Sequence, residues 1–145
     1  MTRNFIKYFI IVFVLVFWTN LSFAETNNKP TSIKNKIIMI DLDGVLNNYT
    51  YYNKENMTTL KKGAKEFLKT LSNDYTLILF TSRNLKSTAK WLIENDIDKY
   101  FADITNIKRP AYLYIDDRAI NFKGNYEKTI EDVNTFKTYW NNKSF

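Results

Sequence analysis

The sequence predicts an α/β domain built on a mostly parallel sheet with helices on both faces. Three observations carry that prediction. Short, continuous apolar runs recur at 36–40 (KIIMI), 75–80 (YTLILF) and 111–115 (AYLYI). Runs of this length without alternation mark strands buried on both faces. Stretches with apolar residues at helical spacing follow the runs, and strands alternating with helices pair in parallel through crossovers. Each run also ends abruptly in polar residues: Asp41 and Asp43, then Thr81, Ser82 and Arg83, then Asp116 and Asp117. In parallel sheets ligands bind beyond the carboxyl ends of the strands, so these residues are expected at one edge.

The elements follow in order. Residues 1–24 read as a secretory signal peptide. Arg3 and Lys7 form a basic start, an unbroken apolar run extends from Tyr8 to Trp18, and Ser22-Phe23-Ala24 offers small residues for cleavage after Ala24. The run is short against the ~20 residues of a membrane span, and the alternatives to cleavage are a retained N-terminal anchor and a buried core segment. Residues 25–35 are polar, contain Pro30, and read as a flexible lead-in to a domain over 36–145. Gly44 to Asn56 is turn-rich and carries Tyr49, Tyr51 and Tyr52. Those tyrosines suit either the packing of a hairpin or stacking on a sugar or base. Thr59 to Ser72 places Leu60, Ala64, Phe67, Leu68 and Leu71 at helical spacing. Asn84 to Asn95 is a second helix, with Leu85, Ala89, Leu92 and Ile93 on one side. Phe101 to Thr105 is a short edge strand. Ile130, Val133, Phe136, Tyr139 and Trp140 mark a final amphipathic helix.

Composition narrows the chemistry. The chain of 145 residues is 45% hydrophobic and 25% charged, an ordinary balance for one globular domain. It has no His and no Cys. Triads built on His are therefore excluded, as are zinc sites built on imidazole or thiolate, and so are disulfides. Acid–base and metal chemistry must use carboxylates, Lys, Tyr or the backbone, a donor set that suits hard cations such as Mg²⁺. The net charge of +6 falls to +4 when Arg3 and Lys7 leave with the signal peptide. A mild positive charge draws anionic substrates, but no basic run is dense enough to suggest a nucleic-acid groove. The glycines fit neither a dinucleotide fingerprint nor a P-loop. In Asp41-x-Asp43-Gly44 the glycine comes too early for a calcium-binding EF-hand loop.

Four carboxylates at one edge repel each other unless a cation neutralises them. Oxygen ligands would come from Asp41, the backbone carbonyl of Asp43, and Asp116 or Asp117. The remaining groups read as phosphoryl transfer. An Asp carboxylate can attack phosphorus, and a second acid two residues on can protonate the leaving oxygen. Thr81 and Lys108 supply a hydroxyl and a cation for the phosphoryl oxygens. Thr81 and Ser82 are also candidates for capping the next helix. Arg83 and Arg118 read as partners of neighbouring acids.

The segments IDLDGVLN, LFTSR, Lys108 and YIDDR, in that order, resemble the four motifs of the haloacid dehalogenase-like hydrolases. The resemblance spans Lys36 to Phe122. It implies a Rossmann-like three-layer sandwich with a mostly parallel sheet, Mg²⁺ as cofactor, and phosphatase activity through an aspartyl phosphate. Position by position, it implies Asp41 as nucleophile, Asp43 as general acid/base, and Thr81 and Lys108 as phosphoryl ligands. Asp116 and Asp117 would hold Mg²⁺ together with Asp41 and Asp43. Ser82 and Gly44 join Thr81 and Lys108 as expected substrate contacts. Arg109 adjoins Lys108, and either could face the site. The intervals Leu46–Leu60 and Asn84–Ile107 are too short for an inserted cap domain. The expected partner is a small phosphorylated substrate or a phosphorylated macromolecule, met outside the cytoplasm. A response-regulator receiver uses similar residues but places its acidic pair first. The alternatives are an inactive binding module on the same fold and a phosphotransferase.

Overall fold

The computed structural model describes residues 36–50 and 56–140. The expected signal peptide and lead-in, and Tyr51 and Tyr52, lie outside the described residues. The described chain folds as β1 (Ile37–Asp41), α1 (Ala64–Asp74), β2 (Thr76–Phe80), α2 (Leu85–Glu94), a 3₁₀ turn (Asp98–Tyr100), β3 (Phe101–Thr105), β4 (Leu113–Ile115) and α3 (Tyr126–Thr135). The four strands form one sheet in the order β3-β2-β1-β4, with every neighbouring pair parallel. This is the Rossmann-like α/β architecture without a cap.

The first two apolar runs become strands because both of their faces are buried, whereas the third pairs only over Leu113–Ile115, at the sheet edge, where Tyr114 is exposed. Ile38 and Ile40 of β1 and Leu77 and Leu79 of β2 point to one face. There they pack with Ala64 and Leu68 of α1 and Trp91 and Leu92 of α2. Met39 and Ile78 point to the opposite face and are buried as well. Burying a side chain of this size contributes about 1.5–3 kcal/mol, so the centre of the sheet is the anchor of the domain. Both crossover helices share a face because β1, α1, β2, α2 and β3 step in one direction across the sheet. After β3 the chain returns to the far side of β1 and adds β4 there. The strand order therefore reverses between β1 and β4, and such switch points open a crevice beyond the strand ends.

Several boundaries differ from the sequence expectation. Helix α1 begins at Ala64 rather than Thr59, because Leu60 forms an antiparallel bridge with Asn47 and Lys61 N–H donates to the Leu46 carbonyl at 2.8 Å. Helix α2 is capped by Asn84, whose side chain accepts from Ser87 N–H at 3.1 Å, and not by Ser82. Helix α3 stops at Thr135, and Phe136 turns to extended backbone, so Tyr139 and Trp140 are not helical. Ile130 and Val133 are exposed, so the apolar stripe of α3 is not a core face among the described residues.

Candidate active site

The sheet register assembles the site. Asp41 is level with Phe80 on β2, so Thr81 comes next at the same edge. Ile40 is level with Ile115 on β4, so Asp116 and Asp117 emerge beside Asp41 at the switch point. Asp41, Asp116 and Asp117 each offer one carboxylate oxygen, and these oxygens lie within 4.8 Å of one another. Burial pushes the Asp41 carboxyl up to about 7; the charges of Asp116, Asp43 and Asp117 add to the rise, and the Leu42 backbone hydrogen bond opposes it. Burial also raises Asp117, against the pull of Trp140 and Arg118. Carboxyls held above their ordinary range in a cleft are a sign of chemistry or of a missing countercharge.

Asp117 gives the sharper signal. Its side chain is only 2% exposed. Oδ2 accepts from the Trp140 indole N–H. Oδ1 is buried without a hydrogen-bond partner, and the nearest cation, Arg118 Nε, stands 3.9 Å away. A buried carboxylate oxygen without a partner costs on the order of 1–3 kcal/mol or more, which a cation would relieve. The donors are carboxylates throughout, so the three acids fit a hard divalent ion.

The Asp43 carboxylate is not in that cluster. Its Oδ2 accepts from Arg83 Nε at 2.6 Å, and its Oδ1 accepts from Asn47 Nδ2 at 2.8 Å. The Asn47 side chain also accepts from Gly44 N–H at 3.1 Å, which closes the turn after β1. Gly44 has φ +81°, open to glycine and strained for other residues. A Cβ there would collide with the Asp117 carboxylate and come within 2.6 Å of Trp140 Nε1.

Thr81 is buried, donates its N–H to the Thr105 carbonyl at 3.0 Å, and accepts from Arg83 N–H on Oγ1 at 3.2 Å. Its hydroxyl hydrogen is left to donate. Ser82 is exposed. Lys108 is exposed on the loop after β3, with Nζ 4.6 Å from the Tyr114 ring centroid. Arg109 is paired with Asp103 at 2.6 Å, out on β3. The structure thus gathers Asp41, Asp116 and Asp117, sets Asp43 and Thr81 alongside, and joins neither Lys108 nor Arg109 to the acids by a hydrogen bond or ion pair. Arg83 and Arg118 do pair with acids, as the sequence suggested.

Four residues at the site carried no clear signal in the sequence. Asn47 is fully buried and braces Asp43, although it is part of the IDLDGVLN segment. Lys61 donates to the Gly44 carbonyl and feels the charge of Asp117. Tyr139 donates its hydroxyl to the same carbonyl. Trp140 reaches Asp117, although its spacing placed it, with Tyr139, on a final amphipathic helix. Tyr49, singled out for its cluster, packs edge-on against Trp140 with ring centroids 5.3 Å apart.

The chain is similar to a solved structure, a conserved protein coded by a locus of Bacteroides thetaiotaomicron. The two are 23% identical over 72% of this chain and 93% of that one, with a TM-score of 0.48. No curated protein matches. The NLI interacting factor-like phosphatase family matches residues 36–142, nearly the whole of the domain predicted from the strand and helix pattern. With the acids at the ends of β1 and β4, the chain belongs to that family of haloacid dehalogenase-like phosphatases.

Proposed function

We propose that this protein is a Mg²⁺-dependent phosphomonoester hydrolase that works through an aspartyl phosphate on Asp41. The observation that carries the proposal is the convergence of three carboxylate oxygens within 4.8 Å, one of the acids having a buried oxygen without a hydrogen-bond partner. Asp41, Asp116 and Asp117 would hold the ion. When bound, Mg²⁺ supplies positive charge that offsets the acids and the phosphoryl oxygens.

The rest of the chemistry falls to the chain. One oxygen of Asp41 forms a bond to phosphorus as the ester oxygen leaves, and Asp43 gives that oxygen its proton. Asp43, now ionised, takes a proton from water, whose oxygen attacks the same phosphorus. Inorganic phosphate departs and the Asp41 carboxylate is regenerated. The Thr81 hydroxyl donates to a phosphoryl oxygen, and Lys108 swings from the Tyr114 ring to balance charge. Arg83 and Asn47 hold Asp43 in place between turnovers. Gly44 and Ser82 line the substrate's entry. The open site, without a cap, suits a phosphate on a small molecule or on a macromolecule.

Hydrolysis of an aryl phosphate tests this. Turnover should require Mg²⁺ and vanish in Asp41→Asn. Rapid quench of the wild type should trap one phosphoryl group on Asp41. Activity that survives in chelator, or in Asp41→Asn, would refute the assignment.

We further propose that the protein is exported, supported by the basic start and apolar run before Ala24. Among the described residues no helix is long and apolar enough to cross a membrane. Mass spectrometry of the exported protein should find Glu25 at its N-terminus; Met1 there would contradict cleavage.

A further inference from the structure

We infer that Trp140 is a positioning residue for Asp117: its indole N–H holds one carboxylate oxygen and so commits the other to the cation. The inference rests on the metal reading above. It is carried by how the segment after α3 is built. The chain leaves the helix at Phe136 and runs back over the site. Thr138 is buried, Tyr139 donates its hydroxyl to the Gly44 carbonyl, and Trp140 donates to Asp117 Oδ2.

A carboxylate can turn either oxygen toward an ion. A charge-assisted hydrogen bond on Oδ2 removes that freedom, since rotating Asp117 would break it. The oxygen left over, Oδ1, is the buried one without a hydrogen-bond partner. Trp140 is itself held in place. Its ring packs edge-on against Tyr49, and the Arg118 guanidinium lies 5.3 Å from it and 4.9 Å from Tyr49. Gly44 completes the fit, because a side chain there would occupy the space where Asp117 and Trp140 meet. Partners that orient metal ligands in this way typically govern affinity for the ion.

The test is Mg²⁺ affinity by calorimetry on the full chain. Trp140→Phe keeps the ring and loses the N–H. It should bind Mg²⁺ about tenfold more weakly than wild type, with an unchanged far-UV circular dichroism spectrum. Trp140→His, which keeps a ring N–H donor, should recover part of the loss. Trp140→Phe affinity within about twofold of wild type would overturn the inference while leaving the metal site standing. Wild type that binds no Mg²⁺ would overturn both. A second measurement needs no variant to fold. The chain from Glu25 onward has two tryptophans, Trp91 and Trp140, so it gives two indole N–H signals in a ¹H–¹⁵N spectrum. The Trp140 signal should move in step with Mg²⁺ saturation, which a purely structural indole would not do. A signal unmoved at saturation would overturn the role.

Discussion

Removing divalent ions and raising the pH should turn Asp41 against its own fold. Its carboxyl stands at about 7 in the folded chain against an ordinary 3.8, with burial as the main cause. The sign follows from proton counting. Below pH ~4 the group is protonated in both states and costs nothing. As pH rises, the unfolded chain releases the proton first, so the folded state is progressively disfavoured until Asp41 ionises there too. Stability is therefore full below the unfolded value and lost as pH climbs through about 7. A gap of roughly three pH units at 1.36 kcal/mol each sets a ceiling of about 4 kcal/mol. Side-chain rotation toward water lowers this to about 2–3 kcal/mol, or ~6–12 °C in Tm for a domain of this size. The assay is thermal melting in chelator from pH 3 to 8.5, comparing wild type with Asp41→Asn. The variant should match wild type at the acid end and gain steadily up to neutrality, then hold its lead. Adding Mg²⁺ should restore wild type alone. A gap independent of pH, or one that favours wild type at pH 8, would show that the site does not strain Asp41.

Other perturbations probe the surroundings. Gly44→Ala forces φ +81° on an alanine and drives a methyl into Asp117 and Trp140, so stability should fall by about 2–4 kcal/mol in urea titration and hydrolysis should collapse. Arg83→Met removes the 2.6 Å partner of Asp43 and should lower kcat by at least about tenfold with little change in KM. Leu79→Ala empties a fully buried position in the centre of β2 and should cost about 2–5 kcal/mol by chemical denaturation, leaving the KM of the folded fraction unchanged.

β1 and β2 are legible because their apolar runs have few alternative uses: a five-residue segment with no polar face must be covered on both sides, whereas β4 shortens to Leu113–Ile115 because the edge of the sheet leaves Tyr112 and Tyr114 exposed. The acids were legible because each stands next to such a run, and parallel pairing in register brings strand ends together. The expected edge strand at Phe101 to Thr105 has the ends observed. The end of α3 was not legible. Phe136, Tyr139 and Trp140 keep helical spacing, yet long-range bonds to Gly44 and Asp117 outweigh local propensity once Phe136 turns extended. The start of α1 is not legible for a similar reason, since the bridge between Asn47 and Leu60 competes with the helix. Lys108 was placed by its motif, but a loop lysine with an aromatic ring in reach can rest away from the acids. Asn47 and Lys61 act through single hydrogen bonds that no periodicity encodes.

The hydroxyl of Tyr139 closes on a carbonyl 95 positions earlier in the chain. Such a contact adds little to the sheet, whose own pairings lie elsewhere, and it can open without disturbing them. Warming should therefore loosen the Gly44 turn and the indole clasp while β1, β2 and β3 are still paired. Catalysis would then fade some degrees below the temperature at which the strands separate, and the margin between the two would measure how firmly the tail grips the turn.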